Sequence, residues 1–379
     1  MYISHIRLKN WKNFKDVEAD LQLRTFLIGP NASGKSNFLD AFRFLRDVAE
    51  DGLRKAVDET RGGISSIRCL AARQYSNIDL EVQISDGSDA LPWTYRLSFN
   101  QDNNRRPEVR EEVVLHGEEE ILRRPNREDE LDALLRTQTA LEQIVANQRF
   151  REIARFFQSV SYQHLLPQVV RDPRSFSPLP VQGDPFGRDF LMRMWRTQSR
   201  TRESRLKKIA SALRSAVPQL TELSMEMDNS GVPHLIGKYS HWREHAARQN
   251  ESQFSDGTLR LLGLLWTTLE GDGPLLLEEP ELSLHPEVVR RLPTIFHRIN
   301  RERKSPRQII ISTHSEEMLQ DQGIGPEEVL RLEPTENGTL LRLPDEADRQ
   351  AMRSGLTAAD VLMPKAAPQN LQQMLFEFP

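Results

Sequence analysis

The sequence is poor in the features that mark secreted and membrane proteins. It contains one cysteine, Cys69, among 379 residues, so no disulfide can form within the chain, as is typical of proteins from a reducing compartment. The longest apolar stretch, residues 261–269, is far shorter than the ~20 residues of a membrane-spanning helix. The first residues carry no apolar segment behind a basic one, so no secretory signal is predicted. We therefore expect a cytoplasmic protein without membrane contact.

A strong charge of either sign is also missing. The formal net charge is −4, from 51 basic and 55 acidic side chains. A surface that attracts nucleic acid everywhere is excluded, so any DNA contact has to be a local patch. Residues 193–214 offer one, because basic side chains there overlap an apolar helical pattern. The candidates for contact with DNA or an acidic partner are Arg193, Arg196, Arg200, Arg202, Arg205, Lys207 and Lys208. The alternative is a plain solvated helix face.

The most informative segment is GPNASGKS at residues 29–36. It has the G-x-x-x-x-G-K-S spacing of a phosphate-binding P-loop. An apolar run at 25–28 predicts a strand before it, and the helical spacing at 37–45 predicts a helix after it. This context suits phosphate, because the glycines let N–H groups point inward and a helix N-terminus attracts anions.

Each part of the loop has a predicted role. Lys35 is expected to contact the β- and γ-phosphates, and the Ser36 hydroxyl to ligate Mg²⁺. The predicted nucleotide-binding residues of the loop are Gly29, Pro30, Asn31, Ala32, Ser33, Gly34, Lys35, Ser36 and Asn37. Upstream, Trp11 and Phe14 lie between lysines; they either stack on the base or pack beneath the hairpin predicted for residues 2–23.

The middle of the chain reads as strands and then helix. Alternating apolar residues at 78–84, 93–99 and 109–115 predict an antiparallel meander. Residues 118–157 read mostly as helix, with an apolar stripe that we expect to be a packed helix face. The stripe consists of Leu131, Leu134, Leu135, Leu141, Ile144 and Val145. Residues 220–227 and 233–242 predict a hairpin turned at Asn229-Ser-Gly231.

Further chemistry follows in the C-terminal half. Leucines at 275–277 predict a buried strand that delivers Glu278 and Glu279, an arrangement typical of a Walker B motif. There the first acid supports Mg²⁺ and the second polarises the attacking water, whereas the alternative is a charged helix start. Residues 308–312 predict another strand, with His314 at its tip, where it can touch a γ-phosphate or relay a proton. Ser255 and Gly257 open an apolar helix and offer N–H groups, although Ser before a helix is also ordinary capping.

Taken in order, these motifs resemble ABC-type ATPase heads of the SMC/RecF-like branch, and most closely the AAA ATPases grouped with OLD-family and RecF-like proteins. The match is carried by GPNASGKSN at 29–37, FSDGTLR at 254–260, LLEEPELSLHP at 276–286 and STHS at 312–315. The resemblance implies an α/β fold. Its core sheet is mixed or parallel, with an antiparallel β subdomain and an inserted, mainly helical lobe.

The same resemblance implies domain boundaries. The expected parts are 1–115, with the P-loop and the β subdomain; 116–219, the inserted lobe; 220–344, with the signature, Walker B and switch histidine; and 345–379, a C-terminal tail. The roughly sixty residues after His314 are too few for the Toprim nuclease domain of OLD proteins, so none is expected there. The glutamine-loop residue is not evident, and Gln74 is the only candidate.

Roles for individual residues follow from the resemblance as well. Glu279 would be the catalytic base, His314 the switch histidine, and Glu278 the acid that supports Mg²⁺ beside Ser36. The family usually has aspartate at position 278, and the longer glutamate is expected to slow turnover. Ser255 and Gly257 would reach the nucleotide of a second copy, which implies a head-to-head homodimer around ATP.

Three functions are compatible with this resemblance. The first is an ATP hydrolase whose dimerisation gates a partner effector or DNA, in the manner of phage-defence ATPases. The second is a nucleotide-locked scaffold with very slow hydrolysis that holds a separately encoded effector such as a nuclease. The third is a RecF-like DNA-repair ATPase that contacts DNA through residues 193–214.

Overall fold

The computed structural model describes residues 1–72, 75–87, 91–172, 184–240 and 247–367. The chain divides into two compact units. The first consists of Met1–Val160, Gly273–Leu276 and Pro306–Pro379, and the second of Ser161–Asp272 and Leu277–Ser305.

The strands, in chain order, are β1 (Tyr2–Trp11), β2 (Phe14–Asp20), β3 (Arg24–Ile28), β4 (Ile78–Ser85), β5 (Trp93–Gln101), β6 (Pro107–His116), β7 (Glu119–Arg124), β8 (Ser161–Gln163), β9 (Leu220–Met227), β10 (Pro233–Tyr239), β11 (Ala247–Asn250), β12 (Leu275–Glu278), β13 (Ile309–Ser312), β14 (Val329–Thr335) and β15 (Gly338–Arg342).

The α-helices of the described ranges are α1 (Lys35–Asp51), α2 (Ile64–Ile67), α3 (Arg127–Leu131), α4 (Arg151–Gln158), α5 (Pro167–Arg171), α6 (Phe190–Arg196), α7 (Ser199–Leu213), α8 (Asp256–Leu269), α9 (Pro286–Val289), α10 (Leu292–Arg301), α11 (Glu316–Leu319), α12 (Glu346–Arg353) and α13 (Ala358–Ala366). Short 3-10 turns lie at Ala133–Thr137, Ala146–Phe150, Glu251–Gln253 and Pro326–Glu328, and a π-helical turn at Lys55–Glu59.

An antiparallel sheet of order β2-β1-β4-β5-β6-β7 forms one part of the first unit. Buried and part-exposed residues alternate along β4, as expected for a sheet with one face on the core. The predicted meander of β4, β5 and β6 is therefore correct. The hairpin predicted for residues 2–23 is formed by β1 and β2, and β1 also pairs with β4 on its other side.

The other sheet of the first unit carries the nucleotide-binding motifs. β3 pairs in parallel with both β13 and β14, and β14 forms an antiparallel hairpin with β15. The order β15-β14-β3-β13-β12 makes this a mixed sheet. Phe26, Leu27 and Ile28 on β3 are buried, as are Ile310 and Ile311 on β13, which explains why these strands are continuous apolar runs in the sequence.

The helix after the P-loop packs through aromatic side chains. Phe38, Phe42 and Phe44 on α1 are fully buried, together with Trp11 and Phe14 from the first hairpin. The Trp11 indole lies 5.2 Å from the Phe44 ring, and the Phe14 ring lies 6.1 Å from that of Phe38. Trp11 and Phe14 are therefore core residues that pack beneath the hairpin. The alternative interpretation, that their rings stack on a nucleotide base, is wrong.

The second unit is built around a buried helix. α8 is buried along nearly all of its length after Thr258, which is why its sequence is apolar on every face. β9 and β10 form the predicted hairpin, and β11 adds a third antiparallel strand. β8 is hydrogen-bonded to β12. The basic segment forms α6 and α7. Leu206, Ile209 and Leu213 form the buried face of α7, as the apolar helical pattern predicts.

One prediction for the middle of the chain is wrong. Residues 118–157 do not form a continuous helix, because β7 opens the segment and short turns follow α3. Of the predicted stripe, Leu141 is buried, but Leu131, Leu134, Ile144 and Val145 are 62–86% exposed.

Two buried charged side chains explain this irregular backbone. The Glu112 carboxylate accepts the N–H groups of Ala140, at 2.7 Å, and Leu141, at 3.1 Å. Arg124 donates to the carbonyl of Leu135 over 2.8 Å. These side chains satisfy main-chain groups that a helix would pair internally, so the turns are stable without helical bonding. Nothing in the local apolar spacing of 118–157 reports on Glu112.

Candidate functional site

The P-loop at 29–36 has the backbone conformation that its glycines predict. Gly29 has φ +152° and Gly34 has φ +99°, both in the region that favours glycine. A Cβ atom on Gly29 would lie 2.5 Å from the carbonyl oxygen of Leu332, and one on Gly34 would overlap the Asn13 side chain. Both positions thus require glycine for conformation and for space.

Lys35 and Ser36 begin α1 directly after this loop. The Lys35 side chain is buried, and its ammonium donates to the carbonyls of Gly29 over 2.9 Å and Pro30 over 3.1 Å. The charge is therefore held at the mouth of the loop, and the N–H groups of the first turn of α1 point to the same side. Loop, ammonium and helix N-terminus together form a fitting site for phosphate oxygen atoms.

The outer side of the loop is held by two residues that the sequence analysis missed. Asn13 Nδ2 donates to the Ser33 carbonyl over 3.0 Å, and Thr339 Oγ1 donates to the same carbonyl over 2.9 Å. Asn13 lies in the turn between β1 and β2, and Thr339 lies on β15. No local pattern could have identified them, because they lie 326 residues apart.

His314 follows β13 at the sheet edge that carries the P-loop. Ser312 is opposite Leu27 in the parallel pair of β13 and β3, and the N–H of Thr313 donates to the carbonyl of Leu27. Parallel strands end at a common edge, so His314 and Gly29 emerge from neighbouring strand ends in the first unit.

The predicted acid pair lies in the second unit. Glu278 is the last residue of β12, and its carboxylate accepts a hydrogen bond from the Tyr162 hydroxyl of β8. His164 Nδ1 donates to the main-chain carbonyl of Glu278 over 3.2 Å. Tyr162 and His164 could not be predicted from the sequence, because no pattern in residues 161–164 indicates contact with a glutamate more than a hundred residues away.

Glu279 has an unusual backbone. Its φ is +43°, a left-handed conformation that is uncommon for a residue with a side chain. Arg260 on α8 donates to its carbonyl over 3.2 Å. The Arg260 side chain is buried, and this burial lowers the pKa of its guanidinium, while Glu281 and Glu279 oppose the shift. Buried arginine thus connects the signature helix with the acid pair inside one unit.

The signature segment is a capped helix start. Ser255 is the exposed N-cap of α8 and accepts the N–H of Thr258 over 3.1 Å. Asp256 pairs with Arg171 at 2.6 Å, and Gly257 is packed so closely that a Cβ atom would lie 2.7 Å from the carbonyl of Ser283. The glycine of the signature is required by this close approach.

The basic segment uses several of its cations internally. Arg193 pairs with Glu270 at 3.0 Å, and Arg205 lies over the ring of Trp266. Arg202 donates to the carbonyl of Trp195 over 2.5 Å and lies over its ring.

The remaining cations of this segment face outward. Arg196, Arg200, Lys207 and Lys208 are exposed, and Lys208 pairs with Glu302 at 3.1 Å. The candidate contact surface is therefore smaller than the sequence suggests.

The side chains predicted to ligate Mg²⁺ carry oxygen atoms, the donor type that this ion prefers. Among the described residues no group of three or more His, Cys, Asp or Glu side chains could hold a metal ion alone. Mg²⁺ at phosphates needs no such group, because it takes one or two protein oxygen atoms and keeps phosphate and water ligands. The Ser36 hydroxyl in the first unit and the Glu278 carboxylate in the second unit are each an oxygen donor of this kind. Gln74 lies outside the described residues, whereas Gln163 of β8 lines a small cavity together with Glu278.

Comparison with known proteins gives a family match and partial relatives. A family model described as "AAA domain, putative AbiEii toxin, Type IV TA system" matches residues 24–319. The DNA replication and repair protein RecF of Crocosphaera subtropica is 32% identical over 107 residues, which are 28% of this chain and 27% of that protein. RecF of Synechocystis is 30% identical over 109 residues, which are 28% and 27% of the two chains. The chain thus matches about a quarter of the length of these relatives.

Two solved structures with a similar fold are heads of SMC proteins. The SmcHead bound to the C-winged helix domain of ScpA aligns with a TM-score of 0.55 at 15% identity, covering 93% of this chain and 100% of that one. The Smc head domain with an extended coiled coil bound to the C-terminal domain of ScpA, derived from Pyrococcus furiosus, gives 0.53 at 12% identity, covering 93% and 98%. These likenesses confirm the predicted α/β head of the ABC type. No helix of the described ranges has the length and apolar character needed to cross a membrane.

Proposed function

Because this chain belongs to the AAA-domain family whose model matches residues 24–319, and is an SMC/RecF-like P-loop ATPase of the ABC type, we propose that it binds and hydrolyses MgATP. The observation that carries this proposal is the P-loop itself. Its glycine conformations, the buried Lys35 ammonium and the start of α1 form a cradle for phosphate oxygen atoms.

In this proposal Lys35 and the loop N–H groups of residues 29–37 bind the phosphates. Ser36 and Glu278 hold Mg²⁺, which when bound neutralises negative charge on the phosphates. Glu279 orients and polarises the attacking water, and His314 contacts the γ-phosphate. We also propose Gln163, in place of Gln74, as the glutamine-loop residue, since it lines the same cavity as Glu278.

We propose further that two copies close head-to-head around ATP. Ser255 is exposed at the N-terminus of α8, with Gly257 behind it, so a second copy can approach its N–H groups. In this proposal dimerisation gates a separately encoded effector. If the glutamate at position 278 makes hydrolysis very slow, the closed dimer would act as a nucleotide-locked scaffold that holds the effector.

A second candidate function is RecF-like action on DNA. It is favoured by the partial likeness to RecF and by the exposed cations Arg196, Arg200 and Lys207 of the second unit. Contacts of this kind would be salt-dependent and largely independent of sequence, because they are made to phosphates.

Nucleotide binding and phosphate release by the full chain test the proposal. We expect native protein to bind ATP with Mg²⁺, Lys35→Ala to lose binding, and Glu279→Gln to bind ATP but release no phosphate. The matched controls are Lys55→Ala and Glu287→Gln, exposed residues outside the site, which should leave both readings unchanged. Absence of ATP binding by folded native protein contradicts the proposal, and binding with no measurable turnover favours the scaffold.

Light scattering of Glu279→Gln tests the dimer. With MgATP the molar mass should double at micromolar concentration, and Ser255→Arg should prevent this by blocking the exposed helix start. A Glu279→Gln protein that binds ATP and stays monomeric contradicts the head-to-head arrangement.

A further inference from the structure

The clamp on the outer side of the P-loop has a role beyond packing. We infer that Asn13 and Thr339 are positioning residues that fix the orientation of the Ser33–Gly34 peptide and thereby aim the Gly34 N–H at phosphate. This inference rests on the proposed nucleotide binding. If Thr339 has this role, the hairpin of β14 and β15 contributes directly to nucleotide binding.

The planarity of the peptide bond supplies the physical reason. In a trans peptide the carbonyl of Ser33 and the N–H of Gly34 point in opposite directions. Two donors hold the carbonyl on the outer side of the loop, so the N–H has to point to the inner side. Inward N–H groups are what a P-loop uses to bind phosphates. Without the clamp, Gly34 would allow this peptide to rotate at low cost, because glycine populates both signs of φ.

The polar atoms of the clamp are used in one consistent pattern. Asn13 donates one amide hydrogen to Ser33 and the other to Thr339 Oγ1, over 2.6 Å. Thr339 Oγ1 accepts this bond and donates its own hydrogen to Ser33. Asn13 Oδ1 accepts from Asn37 Nδ2 over 2.9 Å, which fixes the orientation of the Asn13 amide. Removal of the Thr339 hydroxyl therefore breaks two bonds in a buried cluster.

Main-chain contacts seat the hairpin at this place. The N–H of Thr339 donates to the carbonyl of Asn13 over 2.8 Å. A Cβ atom on Gly338 would lie 2.7 Å from the same carbonyl oxygen, so only glycine allows this approach. Farther along the hairpin, the carbonyl of Leu332 lies against Gly29. Gly29 thus packs against the hairpin at Leu332, and Gly34 packs against the Asn13 side chain of the clamp.

Thr339→Val is the decisive variant, because valine keeps the shape of threonine and lacks the hydroxyl. We expect about a tenfold loss of affinity for both ATP and ADP, since a peptide that rotates lowers the fraction of binding-competent loop. The two nucleotides should be affected equally, because both carry the phosphates that the loop N–H groups cradle. Thr339→Ser should restore native affinity, and Asn13→Ala should reproduce the loss.

Thr335→Val is the matched control. Thr335 lies on the same hairpin, and its hydroxyl donates to the carbonyl of Gly338 over 2.6 Å without reaching the P-loop. Titration calorimetry with ATP and ADP, together with a melting curve of each nucleotide-free protein, separates positioning from general damage to the hairpin. Native affinity in Thr335→Val combined with the loss in Thr339→Val supports the inference.

Two results would overturn it. The first is native-like nucleotide affinity in both Thr339→Val and Asn13→Ala, which removes the positioning role and leaves the proposed function intact. The second is an equal loss in Thr335→Val and Thr339→Val, which assigns the effect to hairpin stability. Failure of folded native protein to bind ATP is a separate outcome, and it ends the proposed function and this inference together.

Discussion

The guanidinium of Arg260 donates to the main-chain carbonyl of Glu279 over 3.2 Å, so the signature helix holds the residue proposed as the catalytic base. Glu279 sits at φ +43°, where a side chain costs about 1–2 kcal/mol relative to right-handed backbone. Strain of this kind persists only where surrounding contacts enforce it. The buried Arg260 is one such contact, and the conformation sets the direction of the Glu279 side chain at the end of β12.

Replacement of Glu279 by asparagine tests this strain. Asn tolerates the left-handed region, so Glu279→Asn should abolish ATP turnover and raise the free energy of unfolding by about 0.5–1 kcal/mol. Glu279→Gln is the control, because it removes the carboxylate and keeps an unbranched side chain that has no preference for this backbone. Denaturant unfolding of both variants gives the comparison. Equal stabilities for the Asn and Gln variants would show that the backbone at position 279 is relaxed.

The Tyr162 hydroxyl, which bonds the Glu278 carboxylate, is expected to set the Mg²⁺ requirement. Tyr162→Phe removes this hydrogen bond, which contributes about 1 kcal/mol to holding the Glu278 carboxylate in place. Half-maximal ATP turnover should therefore need about fivefold more Mg²⁺. In a Glu278→Asp background we expect the carboxylate, one methylene shorter, not to reach the Tyr162 hydroxyl. Tyr162→Phe should then have no further effect, and the two substitutions are non-additive. Turnover measured against Mg²⁺ concentration for the four proteins completes the cycle.

Additive effects of Tyr162→Phe and Glu278→Asp would contradict this coupling. Tyr239→Phe is a suitable control, because Tyr239 is an aromatic residue of the same unit that packs against Phe254 and has no contact with the acid pair in the described structure. Its substitution should leave the Mg²⁺ dependence of native protein unchanged.

What the sequence predicts well is what depends on neighbours in the chain. The strand at 25–28, the P-loop and α1 form one local unit, and its glycine positions alone report the backbone conformation. Ser255 before α8 is likewise a local cap, and the continuous apolar run of α8 follows from its burial on every side.

What the sequence fails to predict depends on distant side chains. Thr339 reaches Ser33, and Tyr162 reaches Glu278, across separations that no periodicity covers. The apolar stripe at 131–145 fails for a related reason: Glu112 and Arg124 bind the main chain there and replace helical bonding. Local apolar spacing carries no information about a buried charge on another strand.

Stability should depend on pH through Asp40 on α1. Burial alone would raise the pKa of this carboxyl, but Arg61 and Lys12, which pair with it at 2.9 and 2.7 Å, lower its pKa from 3.8 to about 2. Because the folded value lies below the unfolded one, the contribution is complete above about pH 4 and is lost as the pH falls through 2. It amounts to about 2 kcal/mol, and the difference between native protein and Asp40→Asn in urea unfolding at pH 7 and at pH 2 measures it.

Arg61→Met should remove most of this contribution. It leaves the buried Asp40 with less compensation, so we expect the free energy of unfolding at pH 7 to fall by about 3 kcal/mol. The control is Arg54→Met, which breaks an exposed pair with Asp58 and should change stability by less than about 0.5 kcal/mol. If the free energy of unfolding falls equally little in both variants, the buried ion pair of Asp40 and Arg61 contributes no more than an exposed pair. The lowered pKa of Asp40 then has no consequence for stability.

The structure narrows the DNA hypothesis to a testable patch. Arg196, Arg200 and Lys207 are exposed on α6 and α7, whereas Arg205 lies over Trp266. If this patch contacts phosphates, replacement of the three exposed cations by glutamate should abolish binding of duplex DNA at about 0.15 M salt. When the three cations are instead replaced by neutral residues, the slope of log affinity against log salt should become less steep by about 2–3. The reason is that each lost phosphate contact removes nearly one unit of slope.

A control with the same change in net charge decides how this result is interpreted. Arg54, Lys304 and Arg353 are exposed elsewhere on the chain, and their replacement by glutamate alters the total charge equally. Weaker DNA binding in both triple variants would indicate non-specific attraction to the whole molecule. A loss confined to the variant of Arg196, Arg200 and Lys207, with ATP turnover unchanged in the absence of DNA, assigns the contact to this patch. Native-like DNA binding in that variant removes the patch from consideration, and gating of a protein effector is then the better of the two proposed functions.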